Sequence, residues 1–227
     1  MNFYNQPISS ILSGLNASAE GLTDIEAKER LKKFGLNELI EKKKVPLWLL
    51  FLQQFKDFIV LILAAAAILS GFIGEITDTV IILVIILLNA SVGFIQEYKA
   101  EKAMDALKKM TLTQTQVLRD GKPVVLSASE LVPGDCVLIE AGNIVPADIR
   151  LCETHALHID ESSLTGESVP VDKNSKELNK KNIPPGDQLN MAFKGTFVTN
   201  GRAQGIVVAT GMSTELGKIA EMLQEED

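Results

Sequence analysis

The apolar positions of this chain are gathered between Pro46 and Ile95, and on both sides of that stretch polar and apolar residues are interleaved as in water-exposed protein. Phe58 to Ile73 carries no charge, and Leu47 to Phe55 extends it on the N-terminal side with only Gln53 and Gln54 as polar breaks. A second run, Ile76 to Ile95, is interrupted early by Asp78 and late by Asn89. A helix rises about 1.5 Å per residue, so about 20 residues cross a hydrocarbon core of about 30 Å. Ile76–Ile95 meets that length directly, and the first run meets it when residues from Leu49 to Phe55 take part. A pair of helices buried in a soluble core is the alternative, but stretches as unbroken as Ile81–Leu88 seldom occur there. Only a few residues around Gly74-Glu75 separate the runs, so the pattern predicts a tight antiparallel transmembrane hairpin.

The flanks read differently. Thr23 and Glu26 form a capping-box pattern, Ile25, Leu31 and Phe34 are expected on one inner face of the helix that follows, and Gly35 is its stop. Residues from Glu97 to Met110 are expected to continue as a polar helix with Ala100, Ala103, Met104 and Leu107 inward. From Thr115 the period becomes that of strands. Gln116–Leu118 and Val124–Leu126 flank Asp120-Gly121, a hairpin signal. Further short strands are predicted at Cys136–Ile139, Asp148–Cys152, Met191–Lys194, Thr196–Thr199 and Arg202–Ala209, with turns at Pro133-Gly134, Ala141-Gly142 and Asn200-Gly201. Asn174–Gly186 reads as a long polar loop, and Glu215 to Gln224 returns to helix. The predicted organisation is a cytosolic helical segment over 1–45, a membrane hairpin over 46–98 with helices at about 47–73 and 76–97, and a small all-β domain with its exit helix over 99–227.

Composition narrows the function classes. The 227 residues are 46% hydrophobic but only 5% aromatic, and a formal charge of −7 with an acidic end argues against a nucleic-acid partner, which wants a basic face. The two cysteines, Cys136 and Cys152, form no CxxC pair, so reduced thiols at small core positions are expected rather than a disulfide framework or zinc site. Met1 to Ser10 has no basic flank leading into an apolar core and is not a cleaved signal peptide. His155 and His158 are spaced H-x-x-H without a third ligand near in sequence, so they are expected to flank a strand rather than bind metal. Lys194-Gly195-Thr196 lacks the glycine-rich stretch of a phosphate loop. Asp57 and Asn89 are polar groups at or near membrane depth, where a functional role weighs against an interfacial charge and an inter-helix hydrogen bond.

The segment Asp160-Glu161-Ser162-Ser163-Leu164-Thr165-Gly166-Glu167-Ser168-Val169-Pro170-Val171 resembles the signature loop of the actuator domain of P-type cation-transporting ATPases. Val132-Pro133-Gly134-Asp135 and Val145-Pro146-Ala147-Asp148 resemble that family's two Pro-x-Asp turns. Gly195-Thr196 with Val198 and Gly201, then Thr210-Gly211-Met212 to Gly217-Lys218-Ile219, resemble its last actuator strands and exit linker. Gly35-Leu36-Asn37-Glu38-Leu39 resembles the N-terminal segment of the calcium, sodium/potassium and proton/potassium pump branch. The resemblance runs from about residue 8 to nearly the end of the chain.

That resemblance implies a mixed fold: the hairpin, N-terminal helices and a small all-β actuator domain of distorted jelly-roll form. It implies a parent enzyme that hydrolyses ATP with Mg²⁺ through an aspartyl-phosphate and moves a cation, calcium by analogy, across a lipid bilayer. Glu167 would be the carboxylate that orients or deprotonates the attacking water, Gly166 would let the backbone come close, and Thr165 and Ser168 would hydrogen-bond the loop or phosphate oxygens. The family's Asp-Lys-Thr-Gly-Thr segment does not occur in this sequence, nor do nucleotide and phosphorylation domains or later membrane helices. Met1 reads as a natural start, so the chain is expected to be the N-terminal part of such a pump, with no cofactor or metal site of its own and no turnover alone. A non-catalytic, membrane-anchored β-domain serving regulation or assembly is the rival reading. A heavy-metal pump is disfavoured because no Cys-x-x-Cys or Cys-rich N-terminus is present.

Lys42, Lys43 and Lys44 precede the hairpin and Lys99, Lys102, Lys108 and Lys109 follow it, while its connecting loop carries only acidic charge. The positive-inside rule then puts both ends in the cytosol. Single cysteines at positions 43 and 102 are expected to be labelled from the cytosolic side and Glu75→Cys from the opposite side. Labelling of Glu75→Cys from the cytosol alone overturns the hairpin topology.

Overall fold

The computed structural model describes residues 3–39, 46–110, 114–180 and 182–225, with the side chains of 101, 103–110 and 225 outside the description. Its helices are α1 (Ile8–Gly14), α2 (Asp24–Phe34), α3 (Leu47–Gln53), α4 (Phe58–Ile73), α5 (Ile76–Met110), the single turn α6 (Ser162–Thr165) and α7 (Glu215–Glu225). Its strands are β1 (Gln114–Arg119), β2 (Lys122–Ser127), β3 (Cys136–Glu140), β4 (Asp148–Asp160), β5 (Val171–Asp172), β6 (Met191–Ala192) and β7 (Phe197–Ala209). The chain divides into two compact units, one of Met1–Ile40 with Leu112–Asp227 and one of Glu41–Thr111. The N-terminal segment and the β-domain therefore share one unit.

In the apolar unit, α5 contains a stretch, Ile76–Ala100, long and apolar enough to cross a membrane. The first run is not one straight helix. Between α3 and α4 it breaks at a 3₁₀ turn over Gln54–Lys56 with a bend of 68°, and the two pieces satisfy the length test only together. The break is built by side chains. Asp57 Oδ1 accepts the Ile59 N–H at 2.8 Å and caps α4, and Gln54 donates to Glu97 Oε2 at 2.6 Å. Phe51 meets Phe55 and Phe94 edge to face, and Phe94 stacks on Tyr98. Asn89 is exposed on α5, with no inter-helix hydrogen bond among the described residues. Ala100 is also exposed, and the expected inner positions Ala103, Met104 and Leu107 lie outside the described side chains, as Lys42–Lys44 lie outside the described residues.

The other unit is built on one antiparallel sheet in the order β2-β1-β3-β7-β4-β5, with β6 also on β4. Asp120 at φ 50° and Gly121 at φ 73° make the two-residue turn that joins β1 to β2, with Arg119 opposite Lys122. One sheet face forms the core: Val117, Val137, Ile139, Ile149, Leu151, Leu157, Ile159, Val198 and Val207 are buried together, with Leu131 and Val145 from the loops. Full burial of such a side chain is worth about 1.5–3 kcal/mol. Asn200-Gly201 is not a turn. The segments expected as two strands are one, β7, and this pair lies inside it where β4 bulges between His155 and His158. Gly201, at φ 78°, is needed there because an added Cβ would collide with the carbonyl oxygens of His155 and Ala156.

The pairing also shows that the sheet rolls up. The start of β4 pairs with β6 (Ile149 opposite Ala192), and its end pairs with the start of β7 (Asp160 opposite Phe197). Asp148 Oδ1 accepts the Lys194 N–H at 2.9 Å, and Lys194 is only three residues from Phe197. The two ends of β4 are thus within about 20 Å of each other, whereas a straight strand of its length spans about 40 Å. The register shifts along β4 supply the curvature.

Buried polar groups tie the irregular segments to this sheet. Asn37, 4% exposed, donates through Nδ2 to the Ala128 and Pro146 carbonyls and accepts at Oδ1 from Lys194 Nζ and the Gly211 N–H, all at 2.8–2.9 Å. Its amide capacity is fully used. Asp135 pairs with Arg119 and accepts the Val132 N–H at 2.9 Å. Arg150 gives its guanidinium to the carbonyls of Phe3, Leu151, Ser175 and Asn190. On α2 the capping box of Thr23 and Glu26 is present, but the buried face is Ala27, with Arg30 and Leu31 half-buried, while Ile25 and Phe34 are exposed. The face is chosen by Arg30, whose guanidinium donates to the Asn16 and Pro133 carbonyls at 2.7 Å, and by the small Ala27 beside it.

Asp148 closes the sheet at its other oxygen, which accepts the Glu215 N–H at 2.8 Å and caps α7. Burial raises its pKa from 3.8 to about 6, against the opposing pull of those two amides. The folded state therefore binds more protons than the unfolded state between pH 3.8 and 6. This contribution to stability is full below that window and is lost as pH rises through it, by about 3 kcal/mol in all. Asp148→Asn is expected to remove that component, so the stability difference between wild type and variant, read by denaturant unfolding, is expected to change with pH between about 4 and 6 and to be flat above pH 7.

Candidate functional site

Residues 161–170 connect β4 to β5, whose residues Val171 and Asp172 pair back onto Ile159 and His158. The loop divides into a buried base and an exposed tip. At the base Glu161 is 1% exposed, and its Oε1 lies 2.6 Å from Lys173 Nζ, with both side chains fully buried. Lys173 Nζ also donates to the Gln188 carbonyl at 3.3 Å and sits 5.7 Å from the centre of the Phe193 ring. Burial raises the Glu161 carboxyl and lowers the Lys173 ammonium, and each charge opposes the other's shift. Beside them Asp160 accepts the Ser162 N–H at 2.9 Å, and its hydrogen bonds with the Ser162 hydroxyl and amide hold its carboxyl below the usual range.

From Glu161 the backbone makes the single turn α6. The Glu161 carbonyl accepts the N–H groups of Leu164 and Thr165 at 2.9 Å and the Thr165 hydroxyl at 3.0 Å. Leu164 packs under the turn against the cluster of Tyr4, Ile11, Met191, Phe193 and Val208, so α1 supports the loop from below. The Thr165 methyl lies against the turn at Gly186. Gly166 ends α6 in the left-handed conformation, φ 78°, with open space around it. Its conformation reverses the chain and aims Glu167 and Ser168 outward. The Glu167 N–H returns to Thr165 Oγ1 at 3.2 Å. Gly166, Glu167, Ser168 and Val169 are all exposed.

The four predicted residues Thr165, Gly166, Glu167 and Ser168 thus form one projecting tip. Thr165 bonds the loop itself. Glu161 and Lys173 were not assigned a role from sequence, although Glu161 lies inside the quoted motif. A carboxylate next to a pair of serines reads as a solvent-facing charge, and its partner is twelve residues away. The other sequence candidates stand elsewhere. Cys136 is buried and its thiol is pushed up to about 11, while Cys152 is half-buried at a β4 bulge. His155 is exposed against Glu153 at 2.9 Å, His158 meets the Ala156 carbonyl at 3.1 Å, and no three potential metal ligands of the His, Cys, Asp or Glu type gather among the described residues. Lys194 spends its ammonium on Asn37. A groove of about 650 Å³ on the sheet, between Gln116, Leu138, Glu140, His155 and Arg202, includes none of the tip residues.

Two family descriptions match this chain, the P-type ATPase actuator domain over residues 109–224 and the cation transporter/ATPase N-terminus over residues 3–70. The chain belongs to the P-type ATPase family. It is 47% identical over 225 residues to a calcium-transporting ATPase of Bacillus subtilis, a match covering 99% of this chain and 25% of the relative. It is 45% identical over 231 residues to calcium-transporting ATPase 1 of Bacillus cereus, covering 100% and 26%, and 41% identical over 224 residues to cation-transporting ATPase pma1 of Synechocystis, covering 98% and 25%. The chain thus spans about a quarter of the length of these relatives. It corresponds to the N-terminal and actuator portion of P-type pumps, and the rival reading as a stand-alone regulatory module is not favoured.

Gly166 and Gly201 share a left-handed φ but not a neighbourhood. Gly166→Ala meets no atom, so only the backbone penalty of about 1–2 kcal/mol is expected. Gly201→Ala also drives a methyl into the β4 backbone, and its loss of stability is expected to be larger. Urea unfolding of the two variants checks the order.

Proposed function

We propose that this chain is the first membrane hairpin and actuator domain of a calcium-transporting P-type pump, and that Glu167 promotes hydrolysis of the pump's aspartyl-phosphate. The observation that carries the reading is the tip: an exposed carboxylate held by its own backbone on a hairpin whose base is buried. Hydrolysis of an acyl phosphate needs such a group. As the water oxygen bonds to phosphorus, the bond from phosphorus to the aspartyl oxygen breaks, the aspartate leaves as a carboxylate, and the water proton passes to Glu167. A second carboxylate beside a phosphoryl group is repelled by it, so Glu167 must be brought in on a stiff support. Gly166 presents only backbone toward that approach, Thr165 keeps Glu167 in orientation through its hydroxyl, and the exposed Ser168 hydroxyl can bond a phosphate oxygen. ATP and Mg²⁺ are the business of the further domains with which this segment works. The lipid bilayer surrounds the apolar helices, and the lysine pattern keeps both termini on the cytosolic side. Calcium as the cation follows the names of the Bacillus relatives.

The test uses a chimera in which this chain replaces the matching segment of the Bacillus subtilis relative. Glu167→Gln keeps size and reach but removes charge and basicity. Phosphoenzyme is expected to form from ATP at the parental rate and to decay about 10²–10⁴-fold more slowly in a chase. Unchanged decay in a well-folded variant defeats the assignment.

A further inference from the structure

We propose that Glu161 and Lys173 are positioning residues for Glu167, acting through a continuous chain of contacts from the buried ion pair to the tip. The proposal rests on the reading of Glu167 given above and adds what fixes its direction. The contacts run in sequence. Lys173 Nζ holds the Glu161 carboxylate at 2.6 Å. The Glu161 carbonyl accepts the Thr165 hydroxyl at 3.0 Å, and the Thr165 oxygen accepts the Glu167 N–H at 3.2 Å. Glu161 is the last residue before the turn, and Lys173 the first after β5, so the pair clasps the two ends of the hairpin. Lys173 is fixed in turn by the Gln188 carbonyl, by the Phe193 ring and by its own N–H on the Leu157 carbonyl at 2.9 Å.

The chemistry of the clasp argues that it sets geometry rather than adds stability. Neither Glu161 carboxylate oxygen makes a well-formed hydrogen bond among the described residues, so Lys173 meets Oε1 as a charge contact, and a fully desolvated pair of this kind is a poor source of net stability. Two apolar side chains of similar volume would hold the base as firmly. They would not define a direction. The ion pair, 2.6 Å long, anchors the Glu161 side chain to Lys173 across the two ends of the loop, next to the Glu161 carbonyl on which α6 hangs. Without that restraint the turn keeps Leu164 in its apolar seat but can rotate the Thr165 hydroxyl away from the Glu167 amide.

The comparison is between the wild-type chain and Glu161→Met combined with Lys173→Met. In the 227-residue chain in detergent, hydrogen exchange at the Glu167 amide is expected to rise about threefold to tenfold, with the melting temperature of the β-domain unchanged or higher. In the chimera, phosphoenzyme decay is expected to slow about tenfold to a hundredfold while formation from ATP keeps its rate. In a Glu167→Gln background the pair replacement is expected to add no further slowing, because it acts through Glu167. A purely structural role gives another pattern, a lower melting temperature with formation and decay impaired together, and that result overturns the proposal. So does further slowing in the Glu167→Gln background. Normal decay in Glu167→Gln alone sinks the reading of Glu167, whereas wild-type exchange at its amide in the folded pair variant sinks the positioning role whatever Glu167 does. If the pair variant does not fold, Glu161→Gln serves the same comparison: raised exchange upholds the proposal and wild-type exchange refutes it.

Discussion

Strand β4 has to begin and end near the same place. Asp148 at its start takes the amide of Lys194, and Asp160 at its end lies opposite Phe197, three residues further on. Thirteen residues cannot satisfy both contacts in a straight line, so β4 and β7 curl together, with bulges at the points where the register slips. The non-glycine Ala156 at φ 47° and Gly201 at φ 78° sit at one of these slips. The loop that follows β4 is therefore delivered back over the apolar cluster under α1, instead of projecting from the far end of a flat sheet. Leu164 reaches that cluster because of the curl.

A rolled sheet leaves connections that cross its ends, and their backbone groups need partners away from water. Three side chains supply several of them. Asn37 joins four chain segments, Asp148 caps α7 and receives the β6–β7 connection, and Arg150 serves four carbonyls including that of Phe3. This explains why the N-terminal residues share a compact unit with a domain more than a hundred residues away. Apart from the Lys194 ammonium on Asn37, these ties run to main-chain atoms of the partner, so they specify position rather than residue type at the far end.

Local signals were legible in the sequence to the degree that their cause is local. The Asp120-Gly121 turn and the capping box at Thr23 each depend on residues within a few positions, and each stands as read. The motif Thr165-Gly166-Glu167-Ser168 was legible by resemblance, and its projecting geometry follows from Gly166. What sequence could not show depended on distant partners. Ile25 and Phe34 have the right spacing for an inner face, but Arg30 finds carbonyls at Asn16 and Pro133 and turns the helix the other way. Asn200-Gly201 carries the chemistry of a turn, yet the β4 backbone passes so close to Gly201 that only the missing Cβ matters. The break between α3 and α4 was hidden because apolar composition is silent on direction, and the bend is set by Asp57, Gln54 and the aromatic residues facing α5.

The division of the signature loop into base and tip follows from the same economy of charge. Two glutamates six residues apart have opposite fates. Glu161 is withdrawn from solvent and neutralised within the loop by Lys173, while Glu167 stays exposed with its amide tied down. Had both been exposed, the tip would carry two flexible carboxylates of similar reach that repel one another. Burying one of them removes a charge from the surface and turns it into a restraint on the other. The cost is a desolvated ion pair, and it is acceptable because Leu164, Phe193 and the rolled sheet already hold the site closed around it.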